Sequence, residues 1–214
     1  MPRDSFSGYL EPNDIRAVID AIPLVSKHPE RDTLLIELLW QSGARVSEAL
    51  TLTPEHIGTT SVVLRNLKQV KRVEKKLVHD PTAVKEVEIS SQLCQHLTDF
   101  CERNKVGIGQ YVFYPNRSGK YPHLYREYVW ALLDKASASV GIRIWGKKDM
   151  RTGGRFKGAY PHLFRHSNAM KLLDDTSDIT LVQAQLGHAS VKSTQMYAWT
   201  KRPKIRKVIA SIEW

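Results

Sequence analysis

Near the C-terminus, the run Leu186-Gly187-His188-Ala189-Ser190-Val191-Lys192-Ser193-Thr194-Gln195-Met196-Tyr197 places a tyrosine nine residues after a histidine, with the basic tail Lys201-Arg202-Pro203-Lys204 just beyond. A phenol ionises at a pH of about 10, so Tyr197 is a nucleophile only beside groups that take up its proton and stabilise the charge it passes on. Without such neighbours, an aromatic near the end of a short helix is a packing residue. Two other places in the chain offer suitable neighbours. Arg45 follows the apolar run from Leu34 to Trp40 after a short turn, and a guanidinium there needs partners wherever it loses water. Glu48 at i+3 supplies an ordinary ion pair, worth roughly a few tenths of a kcal/mol if exposed; a bound anion is the other partner. His162 and Arg165 lie on adjacent turns of one helical face behind Pro161. The N-terminal amides of that helix add to the pair and make a ready anion site.

The composition suits an anionic partner. Lys and Arg number 32 against 22 Asp and Glu, a net charge of +10 and a pI of about 9.6, which favours a polyanion. Arg143, Lys147, Lys148, Arg151, Arg155 and Lys157 crowd into one stretch with Trp145 and Phe156; it reads as a loop facing phosphates, and its length from 143 to 160 indicates function rather than connection. Cys94 and Cys101 share one face of a helix too far apart to bridge. They read as core thiols of a reducing compartment, the cytoplasm. No apolar run has membrane-spanning length, and the first residues form neither a signal nor a transit peptide.

The elements that must position these groups are mostly helical. Ile15, Val18, Ile19 and Ile22 predict an amphipathic helix after Glu11-Pro12, stopped at Pro23. A second helix from Pro29 is apolar round most of its circumference, hence central, and ends at Gly43. Arg45 opens a short third helix. From Ser61 to Ser90 the pattern turns strand-like: Ser61–Leu64 and Val84–Ile89 bracket a lysine-rich middle with Lys68, Lys71, Arg72, Lys75 and Lys76. This predicts a small antiparallel sheet whose turns carry cations, most of them ordinary solvated edge lysines. Leu93, Cys94, Leu97, Phe100 and Cys101 give a helix, Tyr111–Pro115 a short buried strand or extended link, and Tyr128–Ala136 another helix. Then come the Pro161 helix, a short helix from Ile179 to Leu186 ended by Gly187, and a last amphipathic helix through Ile205, Val208, Ile209 and Ile212. Residues 1 to 10 read as a strap without periodicity.

In order, the polar outliers are Arg45, a hairpin lysine, His162, Arg165, His188 and Tyr197. This series resembles the tyrosine recombinase or phage integrase family, whose catalytic domain carries Arg, Lys, His-x-x-Arg, His or Trp, and Tyr in that order. The matching stretches are Gly43-Ala44-Arg45-Val46-Ser47-Glu48, His162-Leu163-Phe164-Arg165-His166, and Leu186-Gly187-His188 with Tyr197. Each is weak alone; all in order over residues 11 to 212 are specific. The resemblance implies an α+β, mostly α-helical fold with a small antiparallel sheet of two to three strands at one edge. It also implies cleavage of a DNA strand by Tyr197 to give a 3′-phosphotyrosyl link and a free 5′-hydroxyl. The bond is conserved, so rejoining needs no nucleotide cofactor, and no metal is required. Arg45 and Arg165 would clamp the non-bridging oxygens and His188 would add a hydrogen bond. Lys68, which follows the strand at the expected distance, would protonate the leaving oxygen, with Lys71 as the alternative; His162 would be the acid/base partner of the tyrosine. Lys71, Arg72, Lys147, Lys148, Arg151, Arg155, Lys157 and Lys192 would contact the duplex.

A related enzyme, a type IB topoisomerase, uses a similar set, but commonly with lysine or arginine where His162 stands. A DNA-binding protein that only keeps the fold is the reading from another class. A zinc module built on His162, His166 and His188 lacks nearby cysteine or carboxylate ligands, and His166 reads as a helix-packing residue or one that supports the site from behind, rather than a catalytic one. Typical family members carry a further helical domain on the N-terminal side, for which there is no room before Glu11. Residues 1 to 214 are therefore expected to be one catalytic domain, a fragment or a minimal version. The expected partners are double-stranded DNA and further copies of the chain, a tetramer joined through the C-terminal segment.

Overall fold

The computed structural model describes residues 3–5, 9–67, 70–73, 76–80, 83–115, 122–145 and 156–187. Its centre is the helix Pro29–Ser42 (α2), preceded by α1 (Pro12–Val25). Leu35, Ile36, Leu38 and Leu39 of α2 are fully buried, because a helix apolar on most sides must be enclosed on most sides. It packs against α1, against α4 (Ser91–Arg103) and against α6 (Pro161–Thr176). Among the described residues the other α-helices are a single turn α3 (Val46–Ala49), α5 (Arg126–Ser139) and α7 (Ile179–Leu186). Gly43 and Gly187 close α2 and α7 in the left-handed conformation, at φ +59° and +61°, as their positions in the sequence predict. Of the two forms expected for Tyr111–Pro115, the structure has the link and not a strand, with Val112 and Phe113 fully buried.

The strand-like region is an antiparallel ladder of β2 (Ser61–Arg65) with β5 (Val84–Glu88), into which a second hairpin, β3 (Val70–Val73) with β4 (Lys76–His79), is inserted. Alternation turns Val62 and Leu64 of β2 inward, and Lys85 and Val87 of β5 with them; Leu64 stands opposite Lys85 in the register. Each ladder has two strands.

The structure departs from the sequence reading in two places. Pro23 lies inside α1, which runs on to Val25. A proline so close to the last residue forfeits one hydrogen bond, and the Ser26 amide still closes the final turn on the Ile22 carbonyl at 2.9 Å. The second departure is a further three-stranded sheet: β1 (Arg3–Ser5) pairs in parallel with β6 (Ile142–Trp145), which pairs antiparallel with β7 (Phe156–Lys157). The presumed strap thus contains a strand, and the basic segment is framed by a pair of strands. Ile142 and Ile144 are buried, which anchors β6 to the core. The strap also grips the helix that carries His162 and Arg165, since the Leu10 amide donates to Ser167 Oγ at 2.8 Å. No helix among the described residues is long and apolar enough to cross a membrane.

Candidate active site

Arg45 is the residue that caps α3, and Glu48 one turn later folds back on it. The Glu48 carboxylate accepts the Arg45 backbone N–H at 3.0 Å through Oε2 and the guanidinium at 2.6 Å through Oε1. The bland reading of Arg45 is therefore correct as far as it goes, but Glu48 has a second cation. Lys85 Nζ sits 2.9 Å from Glu48 Oε2. The Glu48 side chain is completely inaccessible and that of Lys85 is 7% exposed, whereas the Arg45 side chain keeps 24%. Burial alone would raise the Glu48 carboxyl; the charge and hydrogen bond of Lys85, with the Arg45 amide and guanidinium, outweigh burial and hold it below its ordinary value. Lys85 is itself pushed down, first by burial, with Arg165 and Arg45 adding repulsion that the attraction of Glu48 only partly offsets.

Arg165 lies on the inner side of α6, 1% exposed. Its Nη1 donates to the Gly43 carbonyl at 2.6 Å and its Nη2 to the Leu186 carbonyl at 3.0 Å. Both acceptors lie at helix C-termini, where carbonyls lack helical partners and the backbone dipoles favour a cation. One guanidinium thus ties the turn leading to Arg45 to the turn leading to His188. The junction is tight: a Cβ on Gly43 would come within 2.5 Å of Leu186 Cδ2 and 2.7 Å of Asn168 Oδ1. Asn168, on α6, donates to the Trp40 and Gln41 carbonyls at 2.8 and 3.1 Å. Gln185, on α7, exchanges hydrogen bonds with the backbone of Glu88 at 3.1 and 2.7 Å. The C-terminal turns of α2 and α7, the first half of α6 and the strand β5 are thus fastened together around the arginines. Chemically, such an arrangement is a cationic clamp on rigid supports, fit for a phosphodiester.

Residues 8–202 match the phage integrase family. The chain belongs to that family. The tyrosine recombinase XerD of Corynebacterium glutamicum is 29% identical over 203 residues, 92% of this chain and 58% of that protein. The XerD of Mycobacterium tuberculosis is 33% identical over 185 residues, 84% of this chain and 51% of the relative. The chain thus spans a little over half the length of these relatives. In the fold, the crystal structure of XerA recombinase matches 96% of this chain and 66% of its own with a TM-score of 0.68 at 20% identity. The catalytic domain of bacteriophage HP1 integrase matches 95% and 94% with a TM-score of 0.52 at 19% identity. The chain has the α+β fold of the family's catalytic domains.

Within that family fold, Arg45 and Arg165 are brought together. His162 lies exposed on the first turn of α6. His166, one turn on, is half-buried with the Tyr9 ring edge-on at 6.1 Å; burial, and then the charge of His162, push its imidazole below the ordinary value. Its ring thus packs against Tyr9 of the N-terminal strap. Lys71 and Arg72 are in β3, paired with Val78 and Leu77, and Lys157 is in β7, paired with Ile144. Lys68, His188, Tyr197, Lys147, Lys148, Arg151, Arg155 and Lys192 lie outside the described residues, as does the expected helix from 205 to 212. Among the described residues no cluster of three or more His, Cys, Asp or Glu side chains could hold a metal ion.

Sequence reasoning passed over Lys85, Asn168 and the second role of Glu48. A signal for Lys85 was present: in Val84-Lys85-Glu86-Val87-Glu88-Ile89 it shares the parity of Val87 and Ile89, which places a lysine on the inward face.

Proposed function

We propose that this chain is the catalytic domain of a site-specific DNA recombinase. It breaks one strand of a duplex by attack of Tyr197 on a phosphodiester, holds the 3′-phosphate as a phosphotyrosyl ester, and rejoins it to a 5′-hydroxyl. The observation that carries this reading is the pair of hydrogen bonds from Arg165 to the carbonyls of Gly43 and Leu186. They bring the turns before Arg45 and His188 to the arginine of the His-x-x-Arg pair, although the three are far apart in sequence. Arg45 and Arg165 clamp the non-bridging oxygens, and His188 donates to one of them. His162 exchanges the tyrosine proton, and Lys68, or Lys71 in its place, protonates the leaving 5′-oxygen.

Double-stranded DNA is the substrate, met in the cytoplasm, and the basic residues from Lys147 to Lys157 and Lys192 track its phosphates. Copies of the chain assemble on DNA as a tetramer through the segment from 205 to 212. In support, solved neighbours of the fold include the Tn1549 transposon integrase in complex with transposon right end DNA and the XerH site-specific recombinase bound to difH substrate.

The test is covalent capture. Wild type and Tyr197→Phe are incubated with a pool of nicked duplexes of randomised sequence, in which the cleaved fragment diffuses away, and are then run on a denaturing gel. Wild type is expected to give a slow-migrating protein–DNA adduct and the variant none. Equal adducts from both would remove Tyr197 as nucleophile, and no adduct from either would leave a DNA-binding protein that only keeps the fold. Relaxation of a plasmid without strand exchange between sites would instead indicate a topoisomerase.

A further inference from the structure

We propose that Lys85 is a positioning residue for the phosphate clamp, its ammonium bridging Glu48 and the Leu186 carbonyl so that Arg45 and Arg165 are held in register. The proposal rests on the recombinase reading above for what the clamp holds, but the bridge is a property of this chain without DNA. A lysine on the inward face of a strand is costly, because an ammonium loses its hydration there. Lys85 nonetheless occupies the position opposite Leu64 and reaches two sites at once, Glu48 Oε2 at 2.9 Å and the Leu186 carbonyl at 3.3 Å.

The two anchors belong to the two arginines. Glu48 holds the Arg45 guanidinium and backbone, and the Leu186 carbonyl also accepts Arg165 Nη2 at 3.0 Å. One carbonyl with two lone pairs can accept both cations. The lysine stem also lies against the turn into His188: a Cβ on Gly187 would come within 2.7 Å of Lys85 Cδ. Lys85 thus links β5, α3 and the end of α7, beside the hydrogen bonds that Gln185 of α7 exchanges with the Glu88 backbone of β5.

The charges suit the task. With Lys85 protonated, the group holds three cations and one carboxylate. Glu48, shared between Lys85 and Arg45, neutralises neither fully, which leaves positive charge for an oxyanion that gains charge in the transition state. Without Lys85, the buried carboxylate would belong to Arg45 alone and would draw that guanidinium away from the phosphate.

The experiment uses the full chain with the duplex recovered by covalent capture, comparing wild type, Lys85→Met, Lys85→Gln and Lys85→Arg in single-turnover cleavage. Lys85→Met is expected to lower the rate at saturating DNA by roughly 30-fold or more while the half-saturating DNA concentration changes less than about 3-fold, the pattern of a loss felt in the transition state. Lys85→Arg should recover most of that loss, and Lys85→Gln replaces Lys85→Met should the latter fail to fold. An unchanged rate, a loss confined to DNA affinity, or an arginine variant as slow as the methionine one would each overturn the proposal. A 5′-bridging phosphorothiolate substrate separates positioning from proton donation, since a thiolate leaves unprotonated; rescue of Lys85→Met by sulfur would overturn positioning, and continued slowness supports it. A DNA-free readout holds even if wild type cleaves nothing: the Nε–H NMR signals of Arg45 and Arg165 should move in Lys85→Met and return in Lys85→Arg, and unmoved signals would refute the bridge independently of the recombinase reading.

Discussion

Replacing Glu48 by glutamine tests the buried ion cluster most directly, because shape is kept and charge is removed. The carboxylate is inaccessible and pairs with Lys85 at 2.9 Å and Arg45 at 2.6 Å. Breaking a buried pair by neutralising one partner costs about 3–5 kcal/mol, since the other charge stays buried without compensation. The partly exposed Arg45 pair contributes at most about 1 kcal/mol, so the loss is dominated by Lys85. For a chain of this size each kcal/mol moves the melting temperature by roughly 2–4 °C, and Glu48→Gln should melt about 6–20 °C lower at neutral pH. The pH dependence has a definite sign on both sides. The folded Glu48 carboxyl lies below its ordinary value, so its contribution is full above the unfolded pKa of about 4.3 and is lost as pH falls through the folded one. The variant should lack that part of the acid destabilisation. Lys85 is depressed in the folded state by burial and by the two arginines, a cost that is full at low pH and relieved as pH rises towards the unfolded value of about 10.4. Without Glu48 that depression deepens, so the variant should gain stability towards alkaline pH more steeply than wild type. Thermal melts from acid to alkaline pH, followed by circular dichroism, provide the measurement. A variant melting within about 2 °C of wild type at neutral pH, with the same acid slope, would refute the buried pair.

Other substitutions probe the junction around it. Gly43→Ala combines a left-handed backbone with a methyl group 2.5 Å from Leu186 Cδ2; it should cost about 2–4 kcal/mol in a denaturant melt. Arg165→Lys keeps the charge but has no fork to span the Gly43 and Leu186 carbonyls, and it should lower the single-turnover cleavage rate by roughly 100-fold or more with little change in DNA affinity. Burial pushes the Cys101 thiol up to about 11, and that of Cys94 upward as well; iodoacetamide at mildly alkaline pH should label both only when denaturant opens the core, as mass spectrometry would show.

How much of this the sequence discloses depends on the range of the interaction. The continuous apolar surface of α2, the glycines at 43 and 187 and the proline opening α6 are local signals, and the structure bears them out. The partnership of β1 with β6 joins residues 3–5 to 142–144, and three polar residues in a strap carry no trace of so distant a strand. The alternation in Ile142-Arg143-Ile144 was visible, but its cations read as a loop. Lys85 was hidden by a rule that usually holds, that lysines on hairpins are solvated. Only the parity of Val87 and Ile89 argues against the rule here, and only the structure shows Glu48 waiting on the inner side.

The two arginines of the site are prepared in different ways, and the difference follows from the groups that hold them. Arg165 is gripped by two carbonyls at helix ends, neutral acceptors that fix the guanidinium plane without cancelling its charge. Arg45 is gripped by a carboxylate, which would cancel it, and the structure answers by giving that carboxylate a second cation. A lone salt bridge between Arg45 and Glu48 would stabilise the free protein and compete with a phosphate for the same donors. Sharing Glu48 with Lys85 weakens that competition while keeping the carboxylate satisfied in a place where water cannot reach it. On the proposal above, Glu48 and Lys85 divide the work on Arg45: Glu48 holds the guanidinium, and Lys85 holds Glu48 in register with the Arg165 end of the clamp while drawing off part of its charge, which leaves Arg45 free to respond to an oxyanion.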